Sequence, residues 1–109
     1  MNTDSKFIRI ARPRRAQEDL TVVVTVVEGD IEKPLKHIIR HSPTGFEYGY
    51  SGSGPADLAL SICHYFNKPE LYQRFKEKVI AMLKPEEDYD IPFTDIESIL
   101  NELESQRQA

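Results

Sequence analysis

The stretch Phe46-Glu47-Tyr48-Gly49-Tyr50-Ser51-Gly52-Ser53-Gly54-Pro55 holds the residue types most suggestive of chemistry. Small residues ahead of a helix start leave N–H groups free to hold a phosphate. The known phosphate loops do not fit it. A Walker loop needs a lysine after its second glycine, and no lysine lies between Lys36 and Lys68. The dinucleotide fingerprint needs Gly-x-Gly-x-x-Gly, whereas Gly49, Gly52 and Gly54 run in another order. A nucleophile elbow built on Ser51 would need glycine where Ser53 stands. Asp57, close behind, would repel an anion. Two readings follow: a tight turn returning a helix over a sheet, with positive φ expected at Gly52 or Gly54, or a binding surface built on that turn.

The other reactive side chains are scattered. His37, His41, Cys63 and His64 lack the short paired spacing of structural zinc sites, so no metal is expected. Cys63 falls near the apolar side of its helix and reads as a small buried hydrophobe. The acidic run Glu86, Glu87, Asp88 and Asp90 has Phe93 where a calcium loop starting at Asp88 needs glycine; it reads as a solvated loop and as a face for a basic partner. Arg9, Arg12, Arg14 and Arg15 form a basic cluster whose forks suit phosphates and carboxylates. Glu18 and Asp19 follow it and no aromatic residue interleaves it, so it reads as an exposed loop available for electrostatic contact.

The elements that would position these groups divide by half. Phe7, Ile8 and Ile10 suggest a short strand ended by Pro13. Leu20 to Val27, nearly all β-branched, suggests a central strand. Gly29-Asp30 signals a turn, and a weaker strand is expected over Leu35 to Arg40. Ser42-Pro43-Thr44-Gly45 signals another turn, and the alternation in Phe46 to Tyr50 suggests a fourth strand, completing an antiparallel meander. A helix is expected from Pro55 to Phe66, with Leu58, Ile62, Tyr65 and Phe66 on its apolar face and Asp57, Ser61, His64 and Lys68 opposite. Asn67-Lys68-Pro69 breaks it. A second helix follows with Leu71, Phe75, Val79 and Met82 inward, ended by Pro85. A third carries Ile96, Ile99, Leu100 and Leu103 behind a Thr94/Glu97 capping box.

These elements amount to an α+β fold, an antiparallel sheet of three to four strands followed by three helices packed on one face. At 109 residues the chain has room for one core, so residues 1–109 are expected to form a single domain, mostly strands over 1–54 and mostly helices over 55–109. Its 39% hydrophobic and 29% charged residues are too apolar a mixture for a disordered chain. The longest apolar run, Val22 to Val27, is too short to cross a bilayer, and no signal peptide is recognisable at the start. With one cysteine, and so no intrachain disulfide, the cytoplasm is the expected compartment. The formal net charge is −4, with 8 Lys+Arg against 7 Asp+Glu in residues 1–54 and 6 against 11 in residues 55–109. Such an acidic chain is not expected to bind nucleic acid or anionic membrane directly.

The block His41-Ser42-Pro43-Thr44-Gly45-Phe46-Glu47-Tyr48-Gly49-Tyr50-Ser51-Gly52-Ser53-Gly54-Pro55-Ala56-Asp57-Leu58-Ala59-Leu60-Ser61-Ile62 resembles a family of small proteins from phages, prophages and mobile elements of bacteria. Tyr48 stands where tryptophan is commoner in that family and Ser51 where glycine is. The family offers no activity to carry over. What the resemblance implies is an accessory protein that acts on host machinery, with CRISPR inhibitors as one class of similar size and acidity. The expected function is therefore non-enzymatic binding and modulation of a host protein or nucleoprotein complex, without cofactor or metal. The alternative is a small-molecule or nucleotide-binding module using the Gly-rich turn. Candidate binding residues are Arg12, Arg14, Arg15, Tyr48, Tyr50, Ser51, Gly52, Ser53 and Gly54.

Overall fold

The computed structural model describes residues 5–12 and 22–108. Arg14, Arg15, Pro13 and the first two residues of the expected strand Leu20 to Val27 lie outside them. Strand β1 runs Lys6–Ala11, β2 Val23–Glu28 and β3 Ile31–Pro34. Between β2 and β3 the chain turns in two residues, with Gly29 at φ 63°, a backbone that suits a tight hairpin and that glycine adopts without steric cost. β1 to β3 form a meander, with its third strand at Ile31–Pro34 and not at the expected Leu35 to Arg40.

The fourth strand is not Phe46 to Tyr50. That segment has no ladder partner, and the sheet is completed by β4, Tyr89–Pro92, which runs antiparallel beside β1 to give the order β3-β2-β1-β4. Leu35 to Arg40 is likewise not a strand: after one further ladder-like bond, Leu35 N–H to the Val24 carbonyl at 2.9 Å, the chain leaves the sheet. β4 won the edge because Ile91 and Tyr89 pair opposite Ile8 and Ile10 and extend the same apolar face.

That face, Ile8, Ile10, Val24 and Val26, is buried with Leu58, Ile62, Leu71, Phe75, Ile80, Ile96 and Leu100. The helices are α1, Ser53–Tyr65, α2, Tyr72–Lys78, and α3, Phe93–Gln108. Single 3₁₀ turns, Pro69–Leu71 and Ile80–Met82, flank α2. Asn67 adopts φ 63° where α1 ends. The Lys68 and Asn67 N–H groups bond back to the Cys63 and His64 carbonyls, which satisfies the last turn. In the second helical region Ile80 takes the buried place expected of Met82, which is exposed, because the chain tightens to 3₁₀ after Val79 and rotates the stripe. α3 begins at Phe93, so Thr94 lies inside the helix and not at the expected cap. Among the described residues no helix is long and apolar enough to cross a membrane.

The largest departure concerns α1. Every residue from Gly54 to Cys63 is buried, Asp57 and Ser61 included, although these two were expected on the side opposite the core. Residues 37–42 of the irregular segment 35–50 cover that side, while Leu35, Phe46 and Tyr48 of the same segment join the core.

Candidate functional site

Asp57 sits in the second turn of α1 with no exposed surface. A carboxylate in that position is tolerated only when its lone pairs are met. The donors come from the covering segment: the N–H groups of Arg40 (3.2 Å), His41 (2.9 Å) and Ser42 (3.0 Å), with His37 Nε2 at 2.8 Å from Oδ2. Burial alone would raise the Asp57 carboxyl; the bonds from His37, Ser42, His41 and Arg40 outweigh it and hold the group below its ordinary value. One helical turn on, Ser61 Oγ accepts the Ile38 N–H at 2.8 Å. Ser42 Oγ donates to the Gly45 carbonyl at 2.9 Å, and the His37 ring lies against Phe46 with centroids 4.4 Å apart. Two polar side chains on one face of α1 thus strap down His37, Ile38, Arg40, His41 and Ser42, which have no ladder of their own.

Strapping that backbone inward turns other side chains outward. Ile39 is 63% exposed, and Arg40 and His41 are exposed beside it. Both polar side chains are steadied by Tyr72, the first residue of α2. The Arg40 guanidinium stands 5.9 Å from the Tyr72 ring centroid, and His41 Nε2 is 3.0 Å from the Tyr72 hydroxyl with the rings stacked. Gln73 Nε2 donates to the same hydroxyl. Between Glu32 and Glu47 the sequence contains Lys33, Lys36 and Arg40 and no acidic residue, so this stretch of an acidic chain is net positive.

The residues singled out in the sequence divide into two groups. Arg12 is not a solvated contact residue. Its guanidinium makes a paired contact with Glu47, at 2.6 and 3.0 Å, its Nε donates to the Pro85 carbonyl, and its N–H donates to Asp88. It also lies 5.1 Å from the ring centroid of Tyr48. Tyr48 is itself fully buried, donating from its hydroxyl to the Glu87 carbonyl and meeting Tyr89 edge-on. Arg9, the other arginine of the cluster among the described residues, meets Asp90 of the acidic run, Nε to Oδ1 at 3.0 Å. The β1–β4 register sets Arg9 opposite Asp90, so these two charges offset one another within the molecule.

Around the glycine-rich turn, Tyr50, Ser51 and Ser53 are exposed, Gly52 is half-buried and Gly54 is buried. Neither Gly52 nor Gly54 has positive φ, contrary to expectation; Gly49, at φ 92°, and Gly45 do. The demand at the first two is for space. A Cβ on Gly52 would lie 2.5 Å from the Tyr50 ring, and one on Gly54 would lie 2.7 Å from Glu47 Cβ. The room that these glycines create is filled by the chain's own side chains.

Burial, with a smaller contribution from Glu70, pushes the Cys63 thiol up to about 12, so it stays protonated at neutral pH. Among the described residues no three His, Cys, Asp or Glu side chains are grouped as metal ligands. Sequence reasoning missed His37, Tyr72 and the roles of Asp57 and Ser61. A polar pair four residues apart in the otherwise small and apolar Ala56-Asp57-Leu58-Ala59-Leu60-Ser61-Ile62-Cys63 was the available signal.

Residues 12–102 match the model of a family described as a family of unknown function, DUF6166. No curated protein and no solved structure matches the chain.

Proposed function

The chain belongs to the DUF6166 family, and from the geometry around Asp57 we propose that it is a non-enzymatic binding protein whose contact face is the strapped segment Lys36 to Thr44. In its finer form, the reading is of an accessory protein of a phage or mobile element. It occupies a host protein or nucleoprotein complex in the cytoplasm, as CRISPR inhibitors do. One observation carries it: a buried carboxylate and a buried hydroxyl are spent on fixing a segment without regular structure, and that segment displays an apolar residue and an arginine. Loops held in one conformation lose little entropy on binding, and exposed apolar and Arg side chains are the usual centres of protein contacts. The side chains able to act as nucleophile or base nearby are already engaged: Ser61 and Asp57 bond the segment's backbone, and Cys63 is protonated.

Affinity capture from host lysate with the parent chain and Ile39→Asp in parallel tests the reading. A partner recovered by the parent and lost from the variant, with identical melting curves, is the expected result. Recovery by both equally would overturn it. A stoichiometric effect on the captured complex is expected; full inactivation by a small fraction of an equivalent would indicate turnover instead.

A further inference from the structure

The exposed groups of the strapped segment are specific enough in chemistry to name what they fit, an inference that rests on the binding reading above. Arg40 is held against the Tyr72 ring, an arrangement that guanidinium groups favour and that leaves their edge donors free to grip a planar anion. His41 is fixed twice, through its N–H on Asp57 and through its ring on Tyr72. Ile39 is next to them in sequence and is among the most exposed large apolar side chains. We propose that this face takes an acidic segment of a partner protein, one side-chain carboxylate held in the fork of Arg40 beside His41 and an apolar neighbour of that carboxylate seated on Ile39.

Charge complementarity selects this occupant. The segment from Lys33 to Phe46 carries Lys33, Lys36 and Arg40 and no acidic residue, which favours an anionic partner. A nucleic-acid backbone offers phosphates at every step but nothing to cover Ile39. A short acidic and apolar peptide segment meets the cations and the isoleucine together.

The test is selection from a random-peptide display library on the immobilised chain, followed by anisotropy titration of the enriched peptides against the parent, Arg40→Gln, Ile39→Ser and the distant control Arg9→Gln. Enriched peptides are expected to place Asp or Glu next to Leu, Ile or Phe. Their affinity should fall at least about tenfold in Arg40→Gln, the loss of a charge-assisted pair. It should weaken as salt rises and stay unchanged in Arg9→Gln, with all variants melting alike. No enrichment, or peptides that lack acidic residues but still lose affinity in Ile39→Ser, would overturn the carboxylate inference; the second result would leave the contact face standing. Peptides indifferent to both Ile39→Ser and Arg40→Gln would remove the face itself. An oligothymidylate bound with the same dependence on Arg40 would replace the protein occupant by a nucleic acid. Self-association abolished by Arg40→Gln would make the chain's own acidic half the occupant. Either result would overturn the proposal.

Discussion

The irregular segment 35–50 is tied to the rest of the molecule near both of its ends, and the two ties place their charges differently. Near residues 37–42 the tie is Asp57, a carboxylate with no exposed surface, met by three backbone N–H groups and a histidine. Near residues 47–48 it is the Arg12–Glu47 pair, whose side chains are 15% and 33% exposed, reinforced by Tyr48. The first tie fixes backbone directly through a carboxylate that has no exposed surface. The second joins flexible side chains at a partly wet boundary, where salt and solvent compete. The region that displays Ile39 and Arg40 is therefore held by the tie that is harder to loosen.

Removing Asp57 should give the largest effect. Asp57→Ala leaves three backbone donors and His37 facing a cavity, a loss expected at about 4 kcal/mol by urea denaturation. Asp57→Asn keeps one acceptor but turns an NH₂ toward those donors and should lose about half as much. A loss in Asp57→Ala no larger than that in Arg12→Gln would erase the contrast between the ties.

Acid sharpens the same contrast. Because Asp57 titrates lower in the folded chain than its ordinary 3.8, the unfolded chain takes up this proton first as pH falls. Asp57 thus contributes stability that is fully present above about that value and is lost as pH drops below it, through the folded group's own titration. Parent and Asp57→Asn should converge in stability on acidification below pH 3.8. A constant difference between them down to the acid transition would show that the carboxylate's charge is not what the donors stabilise.

Arg12→Gln is expected to cost about 1 to 2 kcal/mol, more than an exposed ion pair because the contact is doubled and partly shielded. Part of that difference should disappear in high salt, whereas the cost of Asp57→Ala should not. At the small end, Arg9→Gln, which breaks a pair whose side chains are 42% and 53% exposed, should change stability by no more than about 0.5 kcal/mol. Equal salt dependence for the Arg12 and Asp57 variants would mean that both ties are equally wet.

Much of the frame was legible from local pattern. β1 and β2 came from β-branched alternation, the turn after β2 from Gly29-Asp30, and the helices from apolar spacing and from breakers such as Asn67-Lys68-Pro69; the strand after that turn was expected at Leu35 to Arg40 and formed at Ile31–Pro34. β4 was not legible, since four residues with one alternating pair make a strand only when β1 lies beside them. The strands expected at Leu35 to Arg40 and Phe46 to Tyr50 had the right residue types, but Ile38 N–H went to Ser61 and Tyr48 was drawn into the core. Of the candidate binding residues, Tyr50, Ser51 and Ser53 are exposed. Arg12 and Tyr48, also named as candidate binding residues, make bonds within the fold that local pattern does not reveal.

By itself, the sequence determined the class of fold, the position of the central strand, the three helical regions and the burial of Cys63, because each depends on propensities and periodicities that act over a few neighbouring residues. Only the tertiary structure decided which side of α1 would be covered, which strand would close the sheet and which charges would be spent internally. Asp57 finds the Ser42 N–H 15 positions away, Arg12 finds Glu47 35 positions away and Arg9 finds Asp90 81 positions away. Bonds over such separations form once the core has brought the elements together, so the face around Arg40 exists because Asp57, buried in α1, holds that segment's backbone inward.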